Sequence, residues 1–156
     1  MSTSRTMRFE DVRIGDAETP IEFQFSLTSL VRYAAATWDF HPYHYDTEFV
    51  RRFGMPAPVA DGQMLGALMA RMMMSWGGDD AYLRRLGYRQ RQPVFAGETV
   101  VFEGRVVSKS AQSGAGLVDA VLTARKTDGT VVISDAAATI ELASAALSQQ
   151  DIRGAS

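Results

Sequence analysis

"QMLGALMARMMMSW", residues 63–76, is the stretch on which the fold turns. It holds one charged residue, Arg71, and places apolar side chains on nearly every side of a 3.6-residue period. A helix that is apolar all round must be buried all round, so other elements have to wrap it. The segments after it read as strands: about 83–92, then 98–110, 116–127 and 130–142, with "TDGT" at 127–130 supplying a tight turn between the last two. Upstream, "IEFQFSL" at 21–27 alternates Ile21, Phe23, Phe25 and Leu27 with polar residues, the pattern of a half-buried strand. Thr28 or Ser29 is placed to cap a helix through "LVRYAAAT" at 30–37, in which Leu30, Tyr33 and Ala34 share a face. "FGMPAPVADG" at 53–62 demands a loop before the long helix. The class implied is α+β, an antiparallel β-sheet wrapped around a long central helix.

The chain has 156 residues, 46% hydrophobic and 22% charged, the balance of one compact domain, which we expect over residues 8–142. Residues 1–7 and 143–156 are small and polar and are expected to be loosely ordered. No cysteine is present, which removes disulfides, thiolate zinc sites and cysteine nucleophiles together. A formal net charge of −2 argues against a nucleic-acid partner. The opening residues lack the apolar run of a secretory signal and no stretch has the length of a membrane span, so the expected location is cytoplasmic, with no membrane partner.

Both histidines fall in "WDFHPYHYD", residues 38–46, between two aspartates and on either side of Pro42, which forbids an ordinary helix. Asp39 and His44 suit acid–base work on a water: a neutral imidazole moves protons near pH 7, and an ionised carboxylate orients or activates the nucleophile. Gly62, at the start of the long helix, offers an unpaired backbone N–H, the positive end of the helix dipole and no side chain to obstruct a carbonyl. The bland alternative is a solvated loop that happens to hold two imidazoles. A metal site built from His41, His44, Asp39 and Asp46 is disfavoured, because the chain has no third histidine and Pro42 breaks the helical face such pairs use. The expectation is therefore no metal and no redox cofactor.

"DFHPYH" at 39–44 resembles the Asp-x-Asn-Pro-x-His signature of the MaoC-like family of (R)-specific enoyl-CoA hydratases and 3-hydroxyacyl dehydratases. "RFGMPAPVADGQML" at 52–65 is similar to the family's Pro-x-x-His-Gly entry into the central helix, and "PVFAGE" at 93–98 resembles its Pro-Val-Phe-x-Gly-Asp junction. The resemblance also extends to the small hydratase subunits of bacterial steroid side-chain breakdown. It implies a hotdog fold, Asp39, His44 and Gly62 as catalytic groups, an acyl thioester of coenzyme A or an acyl carrier as substrate, and a homodimer or a heteromer with a related subunit. Three departures stand out: His41 replaces the signature asparagine, Asp61 replaces the histidine before Gly62, and Ala70 falls where some members carry a serine. They leave open a subunit that only completes a partner's site. A thioesterase on the same fold would need a carboxylate on the central helix, and residues 63–76 contain none.

Candidate substrate contacts are His41, Met64, Arg89 and Arg91. Arg84, Arg85, Arg89 and Arg91 read first as the solvent-face charges of a strand, although arginine forks suit the phosphates of coenzyme A. Met64, Met69, Met72, Met73 and Met74 read as adaptable core filling, or as a yielding wall for a bulky acyl chain. Trp38 and Trp76 are expected to pack in the core.

Overall fold

The computed structural model describes residues 6–112 and 115–144. A 3₁₀ turn at Phe9–Asp11 leads to β1 (Ile21–Gln24), α1 (Leu27–Thr37), a second 3₁₀ turn at Pro42–His44, α2 (Thr47–Arg51) and α3 (Gly62–Gly77). Four strands follow: β2 (Tyr82–Gly87), β3 (Thr99–Gln112), β4 (Ala115–Lys126) and β5 (Val131–Leu142). The strands form one antiparallel sheet in the order β1-β3-β4-β5-β2. Its concave face closes on α3, the arrangement of the hotdog fold.

The core explains the composition of α3. Met64, Leu65, Leu68, Met69, Met72 and Met73 are all buried there, and meet Phe102, Leu122, Ile133 and Ile140 from the sheet. Such unbranched thioether side chains fill the irregular space between a helix and a curled sheet without fixing one rotamer. Met74 departs from the expectation and lies on the outer side of the helix, 36% exposed. None of the helices among the described residues is long and apolar enough to cross a membrane.

Several boundaries move for identifiable reasons. The first strand ends at Gln24, because Phe25 turns inward and exchanges backbone bonds with Gly97 and Glu98. The cap of α1 is Ser26 rather than Thr28 or Ser29, and its hydroxyl accepts the Ser29 N–H at 3.1 Å. Leu27, expected as an inward strand residue, therefore begins the helix and is exposed. The strand expected over 83–92 stops at Gly87, and residues beyond it turn toward the start of α3. Trp38, expected in the core, is 83% exposed. It occupies the C-terminal cap of α1 in the left-handed region, φ 62°, and this projects the indole outward against Phe40 at 5.3 Å. Trp76 does pack against the core.

Some of the expected loose ends are tied. Met7 N–H bonds to Gly77 O, Phe9 N–H bonds to Ala143 O, and Ser144 is buried. Residues 1–5 and 145–156 lie outside the described residues.

Candidate active site

Three loops and the first turn of α3 meet at one place, and backbone bonds hold them there. The left-handed Trp38 ends α1 and turns the chain so that Asp39 leads into the turn at Pro42–His44. Proline stands at the first position of that turn, where its missing N–H costs nothing. His41 caps it: Nδ1 accepts the Tyr43 N–H at 3.3 Å. An imidazole nitrogen at 41 thus caps the turn, a task that an asparagine side-chain oxygen is equally able to perform. His41 also stacks on Tyr43 at 4.6 Å, and Tyr43 in turn meets Phe49 and Phe53. Its ring remains exposed.

His44 is oriented by residues distant in sequence. Ala60 N–H bonds to Val94 O and Ala96 N–H to Pro58 O, so 93–98 forms a short bridge with 58–60. The bridge presents Val59, whose N–H bonds to Tyr43 O and whose carbonyl lies 2.8 Å from His44 Nδ1. A carbonyl only accepts, so Nδ1 carries a hydrogen, and in the neutral ring Nε2 holds the free lone pair. Nε2 faces Asp39 Oδ2 at 3.8 Å, beyond direct hydrogen bonding. The other Asp39 oxygen accepts the His41 N–H at 3.2 Å. The side chain of His44 is 16% exposed and that of Asp39 46%.

Gly62 is the first residue of α3, and Asp61 is its N-cap, accepting the Gln63 N–H at 2.8 Å. The N–H of a first helical residue has no acceptor within its own helix. Asp61 does not point away from the cluster: side-chain atoms of Asp39, His44 and Asp61 lie within 4.8 Å of one another. These three could offer ligands to a metal; His41 and Asp46 are not among them. Asp46 instead caps α2, accepting the Phe49 N–H.

Two residues that sequence reasoning passed over pack on this turn. Tyr88 donates its hydroxyl to Gly62 O at 2.9 Å, and its ring lies against Gly66, where an added Cβ would stand 2.8 Å from Cε1. Gln90 lies over Gly62, its Oε1 3.0 Å from where a Cβ would sit, while Nε2 donates to Gln92 O. Burial, reinforced by the charge of Asp61, pushes the hydroxyls of Tyr88 and of Tyr33 on α1 above their ordinary value, so both stay protonated.

The remaining candidates are placed as follows. Arg91 is exposed and faces Asp135 at 3.7 Å, and Arg89 is exposed. Arg84 pairs with Glu141, its Nε 2.6 Å from Oε2. Met64 is buried in the core near the start of α3. A cavity of about 120 Å³ at the far end of α3, lined by Thr19, Pro20, Ile21, Met72, Ser75 and Trp76, has no ionisable side chain in its wall.

Known structures share this architecture. The chain resembles R-hydratase PhaJ1 from Pseudomonas aeruginosa with a TM-score of 0.80 and 20% identity, over 89% of this chain and 87% of that one. It resembles a chain of the ChsH1-ChsH2 complex from Mycobacterium tuberculosis at 0.74 and 24%, over 85% and 99%. A chain of the HadBC (3R-hydroxyacyl-ACP dehydratase) complex from the same organism matches at 0.70 and 20%, over 82% and 96%. No curated protein matches in sequence. A family model described as the MaoC like domain matches residues 11–127, a span that contains Asp39, His44, Gly62 and the segment at 93–98, and the chain accordingly belongs to the MaoC-like dehydratase family.

Proposed function

We propose that this chain is a hydratase or dehydratase that interconverts a trans-2-enoyl thioester and a 3-hydroxyacyl thioester. The observation that carries this is the facing pair at 3.8 Å, a free Nε2 opposite a carboxylate oxygen, too far apart to bond directly and spaced for one water to bridge. As the water oxygen bonds to the β-carbon, His44 Nε2 takes its proton and Asp39 orients the water and balances the imidazolium. The alkene electron pair moves to the thioester oxygen, and the enolate oxygen lies against the Gly62 N–H at the positive end of α3. His44 then returns the proton to the α-carbon. Dehydration runs the same steps in reverse.

A second reading is a subunit that serves a related hotdog partner. Two similar structures are complexes by name, ChsH1-ChsH2 and HadBC, and this chain carries exposed Leu27, Val31, Trp38 and Phe40 along and just beyond α1. The thioesterase reading gains nothing, since α3 holds no carboxylate within its length. The test is hydration of crotonyl-, longer enoyl- and polycyclic enoyl-CoA by the purified chain. General acid–base help is worth about 10²–10⁴ in rate, so Asp39→Asn and His44→Ala should each lose that much, and the double variant little more, because groups acting on one water are not additive. His41→Asn keeps the turn cap and should stay active. No hydration of any enoyl thioester would move the partner-subunit reading to first place.

A further inference from the structure

Asp61 is the residue the acid–base pair does not use, although its carboxylate belongs to the same cluster. One of its oxygens is committed, since Oδ1 accepts the Gln63 N–H. The same holds for its two neighbours: Asp39 Oδ1 is held by the His41 N–H, and His44 Nδ1 by the Val59 carbonyl. Each of the three side chains is thus fixed by the main chain through one atom, and for Asp39 and His44 the other atoms, Oδ2 and Nε2, face each other. Three atoms within 4.8 Å of one another have a common point no more than about 2.8 Å from each, which is the length of an ordinary O–H···O bond. A water bridging the three would sit at such a point.

We propose that Asp61 is a third catalytic residue, an acceptor that shares with Asp39 the second O–H of the attacking water. This rests on the hydratase reading of Asp39 and His44. The water donates one hydrogen to His44 Nε2 and points the other between Asp39 and Asp61, which turns an oxygen lone pair toward the β-carbon. When the C–O bond forms, the first hydrogen passes to Nε2 and the second stays on the new hydroxyl, still directed between the two carboxylates. Asp39 shares that second hydrogen with Asp61 and faces the imidazolium across 3.8 Å. Protons balance: one moves to His44 and on to the α-carbon, and neither carboxylate needs to change its charge. The added negative charge beside the enolate is offset by the site's position, because Asp61 caps a 16-residue helix and meets its positive end. Tyr33 and Tyr88, on which the charge of Asp61 acts, remain neutral.

The experiment separates capping from catalysis. Serine and asparagine both cap helices well, so Asp61→Ser and Asp61→Asn should keep the parent's melting temperature within a few degrees. Neither replaces the lost carboxylate oxygen. Their kcat for enoyl-CoA hydration should fall roughly tenfold or more, part of the range for acid–base help, with KM changed by less than about threefold. Parental kcat in both variants would reduce Asp61 to a cap and overturn the proposal. A raised KM with kcat unchanged would overturn it too, by making Asp61 a substrate contact. If chelation abolished parental activity and zinc restored it, the three side chains would be ligands instead. Retained activity in Asp39→Asn and His44→Ala would sink the underlying hydratase reading. Activity lost in those two but kept in Asp61→Ser and Asp61→Asn would sink only the role given to Asp61.

Discussion

Replacing Gly62 by alanine adds one methyl group to the turn that carries the proposed oxyanion donor. The backbone can accept it, since φ at 62 is not positive, unlike that at Gly15, Gly54, Gly78, Gly97 or Gly129. The new Cβ would stand 3.0 Å from Gln90 Oε1, a few tenths of an ångström inside ordinary contact, and the carboxamide can rotate away at the expense of its bond to Gln92 O. Alanine is the better helix former by up to about 1 kcal/mol, which opposes that contact. The net change in stability should stay within about 1 kcal/mol, a shift of a few degrees in Tm. The rate should respond far more, because a methyl group beside the amide keeps the thioester oxygen from reaching it. Losing one oxyanion donor costs roughly 10²–10³ in kcat. The assay is the initial rate of enoyl-CoA hydration with kcat and KM resolved, run on Gly62→Ala, Gln90→Ala and the double variant. If the methyl group acts on the substrate, the double variant is as slow as Gly62→Ala. A double variant that recovers the rate of Gln90→Ala would show that glycine is needed to accommodate Gln90, and the oxyanion role would be refuted.

Two further predictions concern pH, with opposite signs. Glu18 is 2% exposed, with neither carboxylate oxygen hydrogen-bonded, over Gly104 on the concave face of the sheet, and burial pushes its carboxyl above the ordinary 4.5. The folded chain then holds the proton more tightly than the unfolded one, so stability is lost as pH rises from about 4.5 through the raised folded value. Glu18→Gln should raise Tm at neutral pH and match the parent below pH 4.5; identical Tm at both would contradict the burial. Asp119 joins three strands, accepting the hydroxyls of Ser108 on β3 and Thr139 on β5 at 2.7 Å each, and these bonds hold its carboxyl below the ordinary 3.8. Its contribution is complete above pH 3.8 and disappears as pH falls through the lowered value. Asp119→Asn should cost about 1 kcal/mol near neutrality, at the low end for bonds to a charged group because the site is partly solvated; a loss that persisted at low pH would mean packing is responsible.

The central helix was legible in the sequence as one mostly apolar run over 63–76, and the meander as strand-length apolar segments set off by turn signals, each long enough for burial to outweigh local exceptions. Ser26 was missed as a cap because Phe25 and Leu27, on either side of it, look like a continuing strand, and only the bonds from Phe25 to residues 97 and 98 interrupt it. Trp38 was misplaced because an aromatic residue after an apolar helix suggests core, whereas the left-handed cap reverses the direction of its side chain. In the site, Asp39, His44 and Gly62 were visible as residue types at a spacing. The partner that sets the His44 tautomer is a backbone carbonyl at Val59, which has no signature in side-chain identity. Tyr88 and Gln90 had a signal: in an extended segment alternate residues share a side, so attention to Arg89 and Arg91 implied a second pair facing the other way.

The fixing atoms of the site are all main-chain: the N–H of His41 for Asp39, the carbonyl of Val59 for His44, and the N–H of Gln63 for Asp61. Every amino acid has a carbonyl and every one except proline has an N–H. The identities of residues 59 and 63 are therefore largely free as far as this geometry is concerned, whereas residue 41 must also keep a side chain that caps the turn, and libraries that vary 59 and 63 to reshape the surroundings of the site would leave its internal distances in place. Proline at 41 or 63 is the exception, since it erases a fixing bond while leaving all three site side chains intact.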